Sequence, residues 1–441
     1  MKKDDINRIL RPWVTANLSP QDRERSDISS TYQKIKDILG DRCILMGSYA
    51  RFTSITPVKD IDILYRLPVS TQLPYSPSEL LQQLQQILES SWQDKNGVPT
   101  FTQQSHSLKM EFLNKYFTVD IVPAITLNEE NEFGDPLFLV PEIAYLNHFN
   151  RQKYYHEFLN SNTSMNWKRS DPLGYISETT KLNQNNPDFR KAIKIIKTWN
   201  SHCKKKLWND KGFKSFHLEC FLFNMFTQNC SLSLIESLFK FFRNFKDHID
   251  TPSIRDRADL TRYVDEYLHD FNEHDRIGFR RQIDVALYYI EQMGMATDEE
   301  NIKKSILNLC HPSKINCRDS SSEKFLFDFD IQTFVDSKKF LNGYCIVHPQ
   351  YGRKYPIDGK TRHTLPKQAT LQFFCDCPIG YESYWKVKNS LNSSEVRGEI
   401  TKGGTKYSPE HTKYTGHHYV ECYIVKEHIC DAIRHFNVDI A

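Results

Sequence analysis

One stretch constrains this chain more than any other: Met46-Gly47-Ser48-Tyr49-Ala50-Arg51, followed by Lys59-Asp60-Ile61-Asp62-Ile63. A Gly-Ser turn leads shortly to two carboxylates spaced Asp-x-Asp. On a strand, residues i and i+2 point to the same face. Asp60 and Asp62 can therefore hold a divalent metal together, and an all-oxygen carboxylate site suits Mg²⁺ or Mn²⁺. Gly47 lets the backbone come close to a phosphate, and Ser48 adds a hydroxyl and an amide donor at the same place. A third carboxylate, Asp120, lies in Tyr116-Phe117-Thr118-Val119-Asp120-Ile121-Val122-Pro123, which reads as a buried strand. A charge inside such a run is costly unless it is paired or binds metal. Two ions held by Asp60, Asp62 and Asp120 would activate an attacking hydroxyl and stabilise a leaving pyrophosphate. The plainer alternative makes Asp60 and Asp62 turn residues and Asp120 the end of a strand. A lone Asp-x-Asp is common; Gly-Ser, then Asp-x-Asp, then a strand Asp is far more specific.

The chain has 441 residues, enough for two or three domains and a large core. Lys plus Arg number 58 and Asp plus Glu 55, a net charge of +3. Such a balance does not advertise a nucleic-acid binder, although a basic face can hide inside it. No apolar run approaches the roughly 18 residues of a membrane span. The start, Met1-Lys2-Lys3-Asp4-Asp5, lacks a signal-peptide core. A cytoplasmic protein with no membrane partner is expected. The 11 cysteines are scattered and odd in number, which fits reduced thiols. Cys375-x-Cys377 has no matching second pair at zinc spacing and is read as ordinary thiols.

The pattern along the chain predicts an α+β protein. After a polar N-terminal segment, Ile28, Tyr32, Ile35 and Leu39 follow helical spacing up to Gly40-Asp41. Residues 43–46 form a short strand that delivers Gly47-Ser48, and residues 60–67 the strand carrying Asp60 and Asp62. Residues 78–92 read as an amphipathic helix, with Leu80, Leu81, Leu84, Ile87 and Leu88 on one face. Leu108, Met110 and Phe112 alternate as a strand. Residues 1–150 thus form a mixed-sheet catalytic lobe. Residues 151–325 read as a helical lobe, with Trp167, Asp171-Pro172 and Asn183-Gln184-Asn185-Asn186-Pro187 marking turns. In the helix over 189–200, Lys191, Lys194 and Lys197 share a side. Ser215 is placed to cap the next helix. A lysine and a helix-terminal hydroxyl make a clamp for a triphosphate. On spacing alone, a solvated lysine stripe and an ordinary cap explain the pattern better. Residues 308–327 read as a linker. Residues 328–441 turn to short aromatic and β-branched runs broken by Gly and Pro, a β-rich domain.

These motifs carry a resemblance. Gly47-Ser48, Asp60-x-Asp62 and Asp120 resemble the nucleotidyltransferase superfamily that contains DNA polymerase β and the poly(A) polymerases. The helical segments Ile193-Lys194-Ile195-Ile196-Lys197-Thr198-Trp199-Asn200 and Lys214-Ser215-Phe216-His217-Leu218-Glu219 are similar to the cyclic-oligonucleotide synthases, the CD-NTases or SMODS proteins. The resemblance covers about residues 30–310. It implies that Lys197 and Ser215 hold the donor triphosphate; Lys194, on the same side of the helix, is counted with them as nucleotide-binding. The segment Asp250-Thr251-Pro252-Ser253, followed by a helix over 258–271, also resembles the family, although Thr251 stands where the family often has Asp. The tail resembles the AGS-C sensor domain in Tyr384-Trp385-Lys386-Val387-Lys388-Asn389, Arg397-Gly398-Glu399-Ile400 and Gly416-His417-His418-Tyr419-Val420-Glu421-Cys422-Tyr423. In that family the domain is proposed to sense a ligand.

The resemblance implies a polymerase-β-like core that condenses ATP, GTP or related triphosphates into a cyclic or linear oligonucleotide, with two Mg²⁺ or Mn²⁺ ions. It also implies an antiphage role of the CBASS type, in which the product is a second messenger for a separate effector. An unknown activating ligand would bind the tail, where Trp385, Arg397, His417, His418 and Glu421 offer a stacking face, donors and an acceptor. With equal weight, Trp385 and Tyr423 belong to the core, and His417 and His418 point to opposite faces. Two rival functions stand beside this reading. One is a template-independent transferase extending RNA ends, which the near-zero net charge disfavours. The other is a non-catalytic ligand-sensing regulator, which has no reason to keep three carboxylates.

Overall fold

The computed structural model describes residues 2–68, 77–93, 97–142, 166–313, 323–336, 339, 341–361, 363–390, 392–395, 397–407 and 409–441. The junction expected at 150/151 and the middle of the 308–327 linker lie outside them. The chain divides into two compact units. One comprises Arg11–Ser237 and Asn244–Phe279; the other comprises Met1–Leu10, Leu238–Arg243 and Arg280–Ala441.

The first unit holds a seven-stranded mixed sheet. Its strands are β1 (Cys43–Met46), β2 (Asp60–Arg66), β3 (Thr100–Gln103), β4 (Leu108–Glu111), β5 (Thr118–Glu130), β6 (Pro136–Glu142) and β7 (Asn166–Ser170). The main path runs β1-β2-β5-β4-β3, with β6 on β5 and β7 on β6. Only β2 and β5 run parallel, and their register sets Asp62 beside Asp120 and Asp60 beside Thr118. The strand read over 60–67 is β2. The strand read around Asp120 is longer than its apolar run, because the half of β5 beyond Ala124 pairs with β6. Alternation along β2 and β5 buries Ile61, Ile63, Val119 and Ile121. They pack with Ile28, Ile35 and Leu39 of the helix Asp22–Leu39, and with Leu81, Leu84 and Leu88 of the helix Pro77–Ser91. Gly40, at φ +79, ends the first of these helices.

Three helices follow the sheet: Pro172–Asn185, Asp188–Lys206 and Ser215–Gln228. The strongest expected helix extends to Lys206, with Ile193, Ile196 and Trp199 buried. Asp171 caps the helix Pro172–Asn185 by accepting the Gly174 amide at 2.8 Å, with Pro172 at its first position.

Four local expectations are corrected. Trp167 lies within β7 rather than marking a turn, since its segment pairs with β6. Ser215 is the first helical residue and Lys214 occupies the cap position. Residues 258–271 are not a helix: Arg255–Asp256 and Asp259–Tyr263 form a hairpin, followed by a 3₁₀ turn over Glu266–Asp270. Aspartate side chains win the local backbone donors there. Asp259 accepts the Thr261 amide and hydroxyl, and Asp265 accepts the Ser253 and Ile254 amides. The N-terminal segment read only as polar is a helix, Lys3–Leu18, whose apolar residues Ile6, Leu10 and Val14 are buried.

The second unit contains the β-rich tail, two sheets face to face. A six-stranded sheet is built on Gly416–Lys426 and Ile429–Ile440, and a four-stranded sheet on Gly343–His348 and Thr370–Cys375. Cys345, Val347, Leu371 and Phe373 of one sheet meet Trp385, Val420, Cys422 and Phe436 of the other in one core. The described cysteines are free thiols. Among the described residues no helix is long and apolar enough to cross a membrane.

Candidate active site

β1 runs antiparallel to β2 and sets Met46 opposite Asp62. The next residue, Gly47, turns the chain at φ +66, and a Cβ there would sit 1.8 Å from Asp62 Oδ2. Glycine is required on two counts: the backbone angle and the space taken by the carboxylate. Ser48 opens the short helical turn Gly47–Ala50 and accepts the Thr53 and Ser54 amides at its carbonyl, at 2.9 and 3.2 Å. The loop thereby wraps back over the end of β2.

Asp60, Asp62 and Asp120 are brought together by the parallel β2–β5 register. Their charges oppose one another. Burial, then the neighbouring Asp60 and Asp120, push the Asp62 carboxyl up to about 7. Burial, then Asp60, push Asp120 up to about 6. Asp120 Oδ1 is buried and has no hydrogen-bond partner among the described residues. An orphaned carboxylate oxygen beside two further carboxylates fits a divalent cation: the donors are all hard oxygens, and a cation would relieve both the repulsion and the missing bond.

A cavity of about 430 Å³ opens at these residues. Gly47, Ser48, Asp60 and Asp62 line one wall, and Lys197, Ser215 and Glu219 another. Asp120 lies beside Asp62 in the β2–β5 register and is not itself part of that lining. Of the two candidate lysines, only Lys197 lines the cavity. Lys194 instead donates to Ser19 Oγ at 2.8 Å, and burial, then Arg25 and Lys191, hold its ammonium down to about 8. Lys191 is half-buried and donates to the carbonyl of Pro187, the residue that caps its own helix.

Two residues that sequence reasoning left without a role join the site. Glu219 is buried and binds three groups at once: Lys197 Nζ at 3.0 Å, Arg51 Nε at 2.9 Å and Thr53 Oγ1 at 2.9 Å. Burial alone would raise its carboxyl; Arg51 and Lys197 outweigh that and hold it down to about 2. Glu219 therefore ties the helix carrying Lys197 to the loop carrying Ser48. A signal was present in the sequence. Glu219 is the one carboxylate in the apolar run over 216–226, and a lone buried acid demands a cationic partner.

The tail candidates part company. Arg397 and His418 line a cavity of about 190 Å³ with Asn389, Glu395, Glu410 and Tyr414. Arg397 pairs with Glu410 at 2.5 Å and with Glu399. His418 meets the Tyr414 carbonyl at 2.9 Å. His417 is exposed and pairs with Asp439, on the opposite face of its strand. Glu421 bonds Tyr423 and His435 and lies apart from the cavity. Trp385 corrects the expectation of a stacking platform. It is fully buried, stacks on Tyr407 and Phe436, and donates to the Gly404 carbonyl at 3.0 Å. Packing occupies both its faces, so none is left for a ligand.

Comparison with known proteins adds to this geometry. Residues 13–136 match the Second Messenger Oligonucleotide or Dinucleotide Synthetase domain. Residues 323–441 match the Adenylyl/Guanylyl and SMODS C-terminal sensor domain. A probable cyclic nucleotide synthase of Bacillus cereus (strain VD146) is 22% identical over 228 residues, 46% of this chain; the chain spans 61% of that relative's length. Among solved structures, E. coli MS115-1 CdnC in complex with HORMA-deltaN is 14% identical, with a TM-score of 0.50 over 69% of this chain and 97% of that one. Vibrio cholerae DncV, a cyclic AMP-GMP synthase in complex with nonhydrolyzable GTP, is 11% identical, with a TM-score of 0.50 over 68% and 94%. These two likenesses concern the fold.

Proposed function

We infer that this chain, a CD-NTase of polymerase-β-like fold with an AGS-C domain, condenses nucleoside triphosphates into a cyclic or linear oligonucleotide second messenger and releases pyrophosphate. The observation that carries the reading is the grouping of three carboxylates by the β2–β5 register, two of them lining the cavity at Gly47-Ser48 and the third, beside Asp62, with an orphaned oxygen. Asp60, Asp62 and Asp120 would hold two Mg²⁺ or Mn²⁺ ions, which when bound neutralise the triphosphate and acidify the attacking hydroxyl. Gly47 gives the phosphates room, because no Cβ can stand there. Ser48, Ser215 and the Lys197 ammonium face the same cavity and would orient the donor. Glu219 keeps Lys197 and Arg51 extended toward it rather than folded onto solvent. Asp120 would assist removal of the proton of the attacking ribose hydroxyl. A new bond then forms between that oxygen and the α-phosphorus, and the α–β bridging bond breaks.

The three-part division into residues 1–150, 151–325 and 328–441 is retained as a functional scheme: metal lobe, donor lobe and sensor. The tail would bind an activating ligand at the cavity of Arg397 and His418, where the Arg397–Glu410 pair, Asn389 and Tyr414 offer both donors and acceptors to a polar molecule. A cytoplasmic place and a separate effector in antiphage signalling complete the proposal. The test is pyrophosphate release and product mass from mixed nucleotides with Mg²⁺ or Mn²⁺, in the wild type and in Asp60→Asn, Asp62→Asn. A double variant as active as the wild type overturns the assignment.

A further inference from the structure

Away from the carboxylate cluster, three side chains from three separate segments aim at one point. His217 lies in the first turn of the helix Ser215–Gln228, His248 is the last residue of the helix Leu234–His248, and Asp265 precedes the 3₁₀ turn Glu266–Asp270. His217 Nε2 is 2.8 Å from His248 Nε2. Asp265 Oδ2 is 3.0 Å from His248 Nε2 and 3.9 Å from His217 Nε2. These edges bracket the roughly 3.3 Å that separates ligand atoms bound at about 2.0 Å to a tetrahedral zinc, so small adjustments of the three side chains would seat the ion.

Hydrogen bonding alone serves these atoms poorly. Each is a lone-pair atom unless protonated, and two imidazole nitrogens directed at each other need a proton between them. Asp265 Oδ2 brings a further lone pair into the same small space. It already accepts the Ser253 amide at 2.9 Å, while Oδ1 accepts the Ile254 amide at 3.1 Å. One cation at the centre satisfies all three atoms. The surroundings have the form of a zinc outer shell. His217 Nδ1 meets the Tyr267 hydroxyl at 2.8 Å, and that hydroxyl also receives the Lys214 amide at 2.8 Å. His248 Nδ1 meets Ser253 Oγ at 3.3 Å. These bonds fix both rings with Nε2 turned inward. Phe221 and Phe245 wall the site with ring centroids 4.8 to 5.6 Å from the imidazoles. His217 and Asp265 are fully buried, and His248 keeps 8% of its side chain exposed, the side from which a water would complete the coordination.

We propose that His217, His248 and Asp265 bind one structural zinc ion, separate from the metals of the active site. The ion would pin the start of the helix Ser215–Gln228 to the end of Leu234–His248 and to the Asp265 turn. Ser215, Phe216 and Glu219 of that pinned helix line the nucleotide cavity. Zinc would thus set the height of the donor clamp without touching the nucleotide.

Metal analysis of the purified full-length chain tests this. The wild type, loaded with Zn²⁺ and desalted, should keep about one zinc per chain, and chelation should lower its melting temperature. Asp60→Asn, Asp62→Asn should keep the same zinc. His248→Gln should lose at least about tenfold in zinc affinity, and Tyr267→Phe about 10–100-fold. Because His248→Gln can unfold the helix pair, Co²⁺ bound to the wild type gives a second reading. Its spectrum should carry tetrahedral d–d bands with no thiolate charge-transfer band. A wild type that holds no zinc after loading overturns the proposal. So does zinc that disappears with the Asp60 and Asp62 substitutions, zinc undiminished in His248→Gln, or a thiolate band in the cobalt spectrum.

Discussion

Replacing Asp62 by Asn should stabilise the metal-free protein at neutral and alkaline pH. Asn keeps the shape and removes the charge. The Asp62 carboxyl is raised from 3.8 to about 7 by burial and by Asp60 and Asp120, so ionising it in the folded state is unfavourable. The sign follows from linkage. Below pH 3.8 both folded and unfolded chains hold the proton and no penalty exists. As pH climbs from 3.8 through 7 the unfolded chain releases its proton first, and stability is lost across that window. At about 1.4 kcal/mol per pH unit, the displacement from 3.8 to about 7 amounts to about 4 kcal/mol above pH 8. Solvent reaching the residue from the cavity trims this to about 2–4 kcal/mol. Asp62→Asn should therefore melt several degrees higher than the wild type at pH 8 in EDTA, at about 2–4 °C per kcal/mol for a unit of this size. The advantage should shrink toward pH 4. Adding Mg²⁺ should raise the wild type and leave the variant nearly unmoved. Melting curves at four pH values, with and without metal, decide it. A variant no more stable than the wild type at pH 8, or a difference flat from pH 5 to 8, refutes the reasoning.

Glu219→Gln removes the counter-charge of two cations at a buried site and should cost about 3–5 kcal/mol in denaturant unfolding. Lys197→Ala should weaken nucleotide binding by about 1.5–3 kcal/mol in calorimetry, while Lys191→Ala, off the cavity and bonded to its own helix cap, changes it little. Gly47→Ala places a methyl group on Asp62 Oδ2 and should abolish pyrophosphate release while far-UV circular dichroism stays native. Trp385→Ala opens the tail core and should lower stability by about 3–5 kcal/mol, read by thermal unfolding of the purified chain.

The sheet half of the site was legible because its signals are local. A continuous apolar run gave the Asp120 strand, and Gly-Ser followed by Asp-x-Asp marked β2 and which of its residues share a face. The cavity's far wall was only half legible. Lys197 stood in a helical pattern, but spacing alone could not separate it from Lys191 and Lys194; burial separates them. Glu219 escaped because its partner Arg51 is distant in sequence, and an ion pair of that span leaves no periodic trace. The helix expected over 258–271 failed for a different reason. Asp259 and Asp265 divert backbone amides into turns, a competition between side chain and helix that apolar spacing does not register. Trp385 was left between core and ligand platform, since an aromatic residue in a strand pattern serves either use until its neighbours are seen.

The Glu219 clamp also has a consequence for the newborn chain. Arg51 is buried, and the carboxylate that neutralises it is made 168 residues later. At about 5–20 residues per second, a ribosome takes roughly ten to thirty seconds to cover that interval. Throughout that time the Gly47-Ser48 loop cannot close over its arginine without burying an unpaired charge. The three aspartates are all exposed to the cell's metals before any lysine of the clamp exists. Translation order therefore completes the metal-bearing sheet sequence before the pair that locks its loop can form.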